Sequence, residues 1–224
     1  MLKKYKNKTF IIAEAGINHN GKIDEAMRLI KHAKKAGADA VKFQTYLTEK
    51  RAKKKSPIYE ILKKCEIEFK YFKEMKEYSK ELGIHFFSTP FDKESAEYLL
   101  KDLKLPIIKV ASFYSSNNDL LDYISKYKTD IIVSLGMTKL KEVKSLINKY
   151  SRKNLIALLH CVTSYPNKPE DSNLSSIHTL SKNFNNIIGY SDHTAGIEVP
   201  VMSITAGAKI IEKHFMVNKN DRVI

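Results

Sequence analysis

The chain has 224 residues, of which 43% are hydrophobic and 29% are charged, and this composition predicts a globular protein with a sizeable buried core. Its two cysteines, Cys65 and Cys161, lie far apart, which excludes a disulfide framework or a thiolate zinc cluster and favours a reducing cytoplasmic location. No apolar run reaches the length of a membrane-spanning helix or of a signal peptide, so we expect no membrane partner and no export.

The formal net charge of +14 raises the question of an anionic partner. Most lysines are spread along the polar faces of predicted helices with glutamates among them, a pattern typical of solvated surfaces. Only Lys50 to Lys55 form a compact basic cluster, and no aromatic stacking motif or recognition helix accompanies it. We therefore expect no nucleic-acid partner and favour a small phosphorylated substrate.

Short apolar runs alternate with longer amphipathic stretches along the whole chain, which is the pattern of repeated βα units. Residues 26–36 are an example of an amphipathic stretch, because their apolar side chains recur at helical spacing. We expect Asp24 to cap this helix and Gly37 to end it. The eight predicted strands cover residues 10–14, 40–46, 84–90, 106–112, 130–137, 155–161, 186–190 and 209–214.

Eight such repeats predict a single (β/α)8 TIM-barrel domain over residues 1–224, with seven helices and a basic loop with one helical turn inserted at about 47–68. The expected barrel lacks its eighth helix because the chain ends at Ile224. A doubly wound open sheet is the alternative, but no glycine-rich dinucleotide fingerprint follows the first strand. In a barrel, active sites form at the carboxyl ends of the strands.

Two histidines, His193 and His214, each follow one of the last two predicted strands. Neighbouring strands of a parallel barrel would bring both imidazoles to the same end, and neutral imidazole is a common ligand of divalent transition metals. The pair therefore predicts a metal site, while ordinary hydrogen-bonded histidines remain the alternative.

The other predicted strand ends are rich in cations and hydroxyls. Lys42 and Lys109 lie inside apolar runs, and a buried lysine without an anionic partner is costly, so we expect an anion beside them. For each hydroxyl, local backbone capping is the alternative. The remaining polar residues at strand ends are Glu14, Gln44, Ser88, Thr89, Ser112, Ser134, Thr163, Tyr165 and Ser191.

Six motifs in order give the chain a resemblance to the sialic acid synthase family over essentially its whole length. They are Ile-Ala-Glu-Ala-Gly-Ile-Asn-His-Asn-Gly (12–21), Ala-Asp-Ala-Val-Lys-Phe-Gln-Thr (38–45), Phe-Ser-Thr-Pro-Phe-Asp (87–92), Leu-Leu-His-Cys (158–161), Gly-Tyr-Ser-Asp-His-Thr (189–194) and Glu-Lys-His-Phe (212–215).

The resemblance implies a metal-dependent condensation of phosphoenolpyruvate with the open-chain aldehyde of an N-acetylmannosamine-type sugar, giving a nine-carbon 2-keto acid and phosphate. It implies that His193 and His214 bind one Mn²⁺ or Mg²⁺ ion, which polarises the aldehyde. It assigns Glu14, Gln44 and Tyr165 to the sugar, and it implies catalytic roles for Glu14, Lys42, Lys109 and Tyr165. The residues it assigns to the phosphoenolpyruvate anion are Lys42, Thr89, Lys109, Ser112, Ser134, Thr163 and Ser191.

The chain departs from the family pattern in three places. Phe113-Tyr114 stands where the family commonly has a glutamate, and Thr163 stands where an amide or serine is usual. The family's C-terminal antifreeze-like domain, which reaches a partner's active site in the homodimer of the full-length form, is expected to be absent. Two alternatives stay open: another phosphoenolpyruvate-dependent sugar-acid synthase, and a truncated, non-catalytic barrel that binds phosphoenolpyruvate and metal.

Overall fold

The computed structural model describes residue 2, residues 8–151 and residues 154–217. The expectation about the end of the chain concerns residues beyond 217, which lie outside these ranges. The eight described strands are β1 (Phe10–Gly16), β2 (Ala40–Thr45), β3 (His85–Pro90), β4 (Ile107–Val110), β5 (Asp130–Ser134), β6 (Ile156–Cys161), β7 (Ile187–Asp192) and β8 (Ile210–His214).

Helices alternate with the strands. Within the described residues, no helix has both the length and the apolar character needed to cross a membrane. The α-helices are α1 (Ile23–Lys35), α2 (Thr48–Arg51), α3 (Tyr59–Cys65), α4 (Phe69–Glu81), α5 (Lys93–Glu97), α6 (Asn118–Ile124), α7 (Leu140–Tyr150), α8 (Ser175–Asn183) and α9 (Glu198–Thr205).

The strands pair in chain order, and the sheet closes into a barrel from β1 to β8. The pairs β2–β3, β4–β5, β5–β6, β6–β7 and β7–β8 are parallel. Parallel neighbours joined by helices require strands that are covered on both faces, and β4 is accordingly buried at every position. The predicted (β/α)8 barrel is confirmed, and the open-sheet alternative is excluded.

The segment inserted after β2 differs from its prediction as a loop with one helical turn. It forms two helices, α2 and α3. In α3, Tyr59, Leu62 and Cys65 are buried at a spacing of three residues, and the Tyr46 hydroxyl donates to the Leu62 carbonyl at 2.9 Å. The surrounding lysines concealed this apolar stripe, so the prediction of a loop was wrong.

Several smaller boundaries also differ. Lys22, not Asp24, is the N-cap of α1, and Asp24 lies in its first turn. The predicted helix over 94–103 divides into α5 and a π-helical turn, Tyr98–Asp102. Strand β7 continues two residues past its predicted end at Tyr190, so Ser191 and Asp192 belong to the strand.

The chain divides into two compact units, and each is described by itself below. One unit is formed by Met1–Ile12 with Pro106–Lys213, and the other by Ala13–Leu105 with His214–Ile224. Each unit contains one of the two buried lysines predicted from the sequence.

The turn after β1 is held by His19 and by close packing of Gly21. The backbone N–H of Gly21 donates to Nδ1 of His19 at 3.1 Å, and the His19 side chain is buried. Burial lowers the pKa of His19 to about 4, against a smaller opposing effect of a hydrogen bond with the Gly16 backbone. Gly21 has a φ of +73°, and a Cβ placed on it would lie 2.2 Å from the Lys64 carbonyl oxygen.

Gly21→Ala should destabilise the protein more than Gly37→Ala, as measured by chemical denaturation. Both glycines have positive φ, so each alanine adds about 1 kcal/mol of backbone strain. Nothing lies within 4 Å of a Cβ at Gly37, whereas Gly21 contacts the α3 backbone. The clash should cost Gly21→Ala about 1–3 kcal/mol more, and equal losses for the two variants would contradict this packing.

His19 should make stability depend on pH. Because its folded pKa lies below the unperturbed histidine value of 6.5, its contribution to stability is fully present above pH 6.5 and is lost as pH falls toward 4. The free energy of unfolding should fall by about 2 kcal/mol between about pH 7.5 and about pH 5 from this group. In His19→Asn that fall should be smaller, whereas the exposed His178→Asn should behave as wild type. Identical pH profiles for His19→Asn and wild type would exclude this assignment.

Candidate functional site

The first cluster, which we call the Lys42 cluster, consists of Glu14, Lys42, Gln44, Thr89 and Arg51. Lys42 Nζ lies 2.7 Å from Glu14 Oε2 and donates to Thr89 Oγ1 at 2.9 Å. Both charged side chains are only 3% exposed, so each compensates the other's loss of hydration. Gln44 Nε2 donates to the second carboxylate oxygen, Glu14 Oε1, at 3.3 Å.

Gly16, at the end of β1, lies close to His214 and to two residues of the Lys42 cluster. A Cβ placed on Gly16 would lie 3.5 Å from Gln44 Nε2, 3.5 Å from Glu14 Oε1 and 3.6 Å from His214 Cε1. Three side chains to which the sequence assigned metal or sugar binding therefore surround one glycine. The backbone fixes the approach of β8, because Phe215 N donates to the Glu14 carbonyl at 3.2 Å.

The second cluster, the Lys109 cluster, consists of Lys109, Ser112, Ser134, Cys161, Thr163, Ser191 and Glu212. Lys109 Nζ donates to Ser134 Oγ at 2.7 Å and lies 3.1 Å from Glu212 Oε1. The same carboxylate oxygen accepts from Ser191 Oγ at 2.9 Å. All four of these side chains are buried, and the β7–β8 register places Ser191 opposite Glu212.

The floor of the Lys109 cluster is formed around Gly136. Its N–H donates to Ser112 Oγ at 3.1 Å, and that hydroxyl lies 3.0 Å from Cys161 Sγ. A Cβ on Gly136 would lie 2.5 Å from Thr163 Oγ1 and 2.8 Å from Cys161 Sγ, so any larger residue would require these side chains to move. Thr163 Oγ1 is shielded from solvent and has no hydrogen-bond partner within the described ranges.

His193 follows β7 and is held from several sides. Its Nδ1 lies 2.6 Å from the Val162 carbonyl, and since a carbonyl only accepts, Nδ1 carries the proton and Nε2 the lone pair. The Tyr165 ring lies over the imidazole, with 4.0 Å between ring centroids. The His193 carbonyl accepts from Asn167 N at 2.8 Å. The contact between His193 Nδ1 and the Val162 carbonyl is typical of metal-ligating histidines.

Two observations bear on whether these residues fit a metal ion. The β7–β8 register ends on Asp192 opposite Lys213, so His193 and His214 are the next residues along the two strands. Throughout the part of the chain that the structure describes, no group of three or more His, Cys, Asp or Glu side chains is arranged to hold a metal. The metal roles of His193 and His214 therefore stay predictions.

Sequence reasoning missed Glu212, Arg51 and the pair Asp192–Lys213. Glu212 and Glu14 give both buried lysines a carboxylate from the chain itself. Burial of the lysines therefore does not by itself require a bound anion, which corrects that step of the sequence argument. A signal for Glu212 existed, because it is the one acidic residue of an otherwise apolar and basic strand end.

The remaining site residues predicted from the sequence all lie within the described ranges. Glu14, Lys42, Gln44, Thr89 and His214 lie in one unit, and Lys109, Ser112, Ser134, Thr163, Tyr165, Ser191 and His193 lie in the other. Ser88 bonds Thr45 at 2.7 Å and joins neither cluster through that contact. The ligand roles of these residues stay predictions.

The fold and these clusters define a barrel protein with charged and hydroxyl side chains at the carboxyl ends of its strands. A model of the NeuB family matches residues 29–223, and the chain belongs to the NeuB family.

The chain is 48% identical over 216 residues to an uncharacterized protein of Methanocaldococcus jannaschii, covering 95% of this chain and 63% of that protein. It is 38% identical over 231 residues to the N,N'-diacetyllegionaminic acid synthase of Legionella pneumophila, covering 94% of this chain and 65% of that enzyme. It therefore spans slightly less than two thirds of the length of both relatives.

Among solved structures, the chain resembles the N-acetylneuraminic acid (sialic acid) synthetase of Leptospira borgpetersenii serovar Hardjo-bovis, crystallised in complex with citrate. The TM-score is 0.92 at 39% sequence identity, and the match covers 96% of this chain and 75% of that one.

Lys42→Met should lower the free energy of unfolding by about 3–5 kcal/mol, because it leaves the Glu14 carboxylate buried without its cation. The double variant Lys42→Met/Glu14→Gln should recover much of this loss in denaturant unfolding. The control Lys101→Met breaks an exposed pair with Glu97 at 3.1 Å and should cost under about 1 kcal/mol. A Lys42→Met loss as small as that of the control would refute strong coupling between Lys42 and Glu14.

Proposed function

We propose that this chain is the catalytic barrel of a nonulosonic acid synthase, which condenses phosphoenolpyruvate with an N-acetylmannosamine-type aldose. The names of its relatives support this reaction class, since they include N,N'-diacetyllegionaminic acid, pseudaminic acid and N-acetylneuraminate-9-phosphate synthases. The local chemistry of the two clusters supports the assignment of substrates to residues.

The observation that carries the proposal is the Lys109 cluster. An ammonium has three N–H donors, and in the described residues Lys109 directs them to two partners, Ser134 and Glu212. The Thr163 hydroxyl is also buried without a partner. A buried unpaired polar group is unfavourable, and an incoming anion would accept from both donors. We propose that this anion is phosphoenolpyruvate, held additionally by Ser112 and Ser191.

The acceptor sugar is proposed to lie beside Glu14, Gln44 and Tyr165. C3 of phosphoenolpyruvate forms a bond to the aldehyde carbon, whose oxygen gains a proton and becomes a hydroxyl. Water adds at C2 and loses one proton, which leaves a hydroxyl there. The C2–O bond to phosphate then breaks with the electron pair leaving on phosphate, and the hydroxyl gives its proton to the released phosphate as it becomes the keto oxygen. Lys42 with Thr89 and Lys109 with Ser134 hold the anionic groups in place through these changes, because charge-assisted hydrogen bonds are the stronger ones.

His193 and His214 are proposed to hold one Mn²⁺ or Mg²⁺ ion, which when bound would polarise the sugar aldehyde. The Val162 carbonyl keeps the proton of His193 on Nδ1, and the Tyr165 ring limits rotation of the imidazole. Both contacts leave Nε2 as the atom that would bind the metal.

Metal binding can be tested without turnover. Binding of Mn²⁺, measured by electron paramagnetic resonance, should be lost in His193→Ala.

Thr163→Val should weaken phosphoenolpyruvate binding without lowering stability. The substitution removes a buried hydroxyl that has no partner among the described residues, so the melting temperature should stay unchanged or rise. The KM for phosphoenolpyruvate should rise about tenfold if the hydroxyl donates to that ligand. Titration calorimetry with phosphoenolpyruvate and Mn²⁺ gives the same comparison without turnover.

Thr194→Val is the matched control for stability. Its hydroxyl donates to Asp192 Oδ1 at 2.9 Å, so the same substitution there should lower the melting temperature. If Thr163→Val binds phosphoenolpyruvate as tightly as wild type does, the assignment of Thr163 is wrong.

The reaction itself is tested by release of phosphate from phosphoenolpyruvate in the presence of Mn²⁺. N-acetylated hexosamines should elicit release, and phosphorylated pentoses should not. Release with pentoses alone would favour another sugar-acid synthase of this barrel type. Tight binding of phosphoenolpyruvate with no release from any sugar would favour a non-catalytic binding protein.

A further inference from the structure

Arg51, in the short helix α2, is the feature of the Lys42 cluster that the proposed reaction leaves unexplained. Its Nη1 donates to Gln44 Oε1 at 3.0 Å, while Gln44 Nε2 donates to Glu14 Oε1 at 3.3 Å. A guanidinium, an amide and a carboxylate thus form a continuous chain from the inserted segment to the buried ion pair of Lys42 and Glu14.

This chain of contacts fixes the orientation of the Gln44 amide. A guanidinium can only donate, and an ionised carboxylate can only accept. If the amide turned over, its NH₂ group would face the Arg51 donors and its oxygen would face the Glu14 carboxylate. Both contacts would be repulsive, so the two neighbours favour the same one of the two amide orientations.

The surroundings of Arg51 hold the guanidinium where this contact requires it. Its Cζ lies 3.7 Å from the centroid of the Phe91 ring and 4.6 Å from that of Tyr46. Planar guanidinium groups stack well on aromatic faces, which lysine does not reproduce. The start of α2 is also anchored, because Leu47 N donates to Asp92 Oδ2 at 2.9 Å and Thr48 N donates to Glu66 Oε2 at 2.8 Å.

We propose that Arg51 is a positioning residue for the acceptor sugar, which acts by holding the Gln44 amide in a single orientation. This role rests on the proposed function, in which Gln44 faces the sugar. Arg51 itself need not contact the substrate. The inserted segment thereby takes part in acceptor recognition through a hydrogen bond and an aromatic stack.

The first test does not depend on turnover. In a ¹⁵N–¹H correlation spectrum, the side-chain amide pair of Gln44 is assigned as the pair that disappears in Gln44→Leu. In Arg51→Met this pair should shift, and its protons should exchange with water about tenfold faster, the change expected when a hydrogen bond to a charged group is lost. The control Lys50→Met removes the same charge from an exposed pair with Glu94 and should leave the Gln44 signals unchanged.

The second test uses steady-state kinetics with an N-acetylated hexosamine. Arg51→Met should raise the KM for the sugar about tenfold and leave the KM for phosphoenolpyruvate unchanged. Arg51→Lys should recover only part of the loss, because it keeps the charge and loses the planar stack. A rise in both KM values, or a fall in melting temperature that accounts for the change, would make Arg51 a structural residue and overturn the proposal.

The two tests separate the possible failures. If wild type shows no turnover with any sugar, the proposed reaction fails, and the Gln44 signals still decide whether Arg51 orients the amide. Unchanged Gln44 signals in Arg51→Met would overturn the inference, even in an active enzyme.

Discussion

The cost of burying an ammonium group is the constraint on which the candidate site depends. Lys42 and Lys109 are each 3% exposed, and an isolated charge at such positions would lose far more hydration energy than packing returns. Each lysine lies beside a buried glutamate and donates to a hydroxyl on the neighbouring strand. The strand ends therefore carry several charged groups whose charges largely cancel. In each pair, the lysine and the glutamate compensate each other's loss of hydration.

This pairing changes the interpretation of the net charge of the chain. Lys42 with Glu14 and Lys109 with Glu212 cancel formally, so the surplus of 14 positive charges resides on other lysines and arginines. Surface cations can raise the rate at which an anionic ligand arrives, and this effect weakens with added salt. Under the proposed function, binding itself would depend on directed hydrogen bonds from buried hydroxyls and from the two buried ammonium groups, which salt screens much less.

The barrel could be predicted from the sequence because its strands are short apolar runs at regular spacing, a local property of the chain. The positions of the two histidines after β7 and in β8 followed from the same pattern. The helices of the inserted segment could not be predicted equally well, because the buried side chains of α3 are separated by exposed residues, which include Lys63 and Lys64.

The carboxylate partners of the buried lysines were harder to predict than the lysines. Glu212 lies in β8 and pairs with Lys109 of β4, and only the closed sheet brings these two strands close together. Arg51 was assigned only to the compact basic cluster of residues 50–55, since nothing in the sequence marks the Phe91 ring as its neighbour. Local patterns thus identified the elements and many of the polar groups, whereas the pairings depend on the register between distant strands.

The register of β8 is itself specified by charge. Glu212 lies opposite Ser191 and beside Lys109, whereas the next residue, Lys213, lies opposite Asp192 and bonds it. Displacing β8 by one residue would exchange the two faces of the strand, because side chains alternate along it. A shift in one direction would bring Lys213 beside Lys109, and a shift in the other would bring Glu212 opposite buried Asp192. Either shift creates a like-charge contact, so the charged side chains near the Lys109 cluster also oppose misaligned pairing of β8.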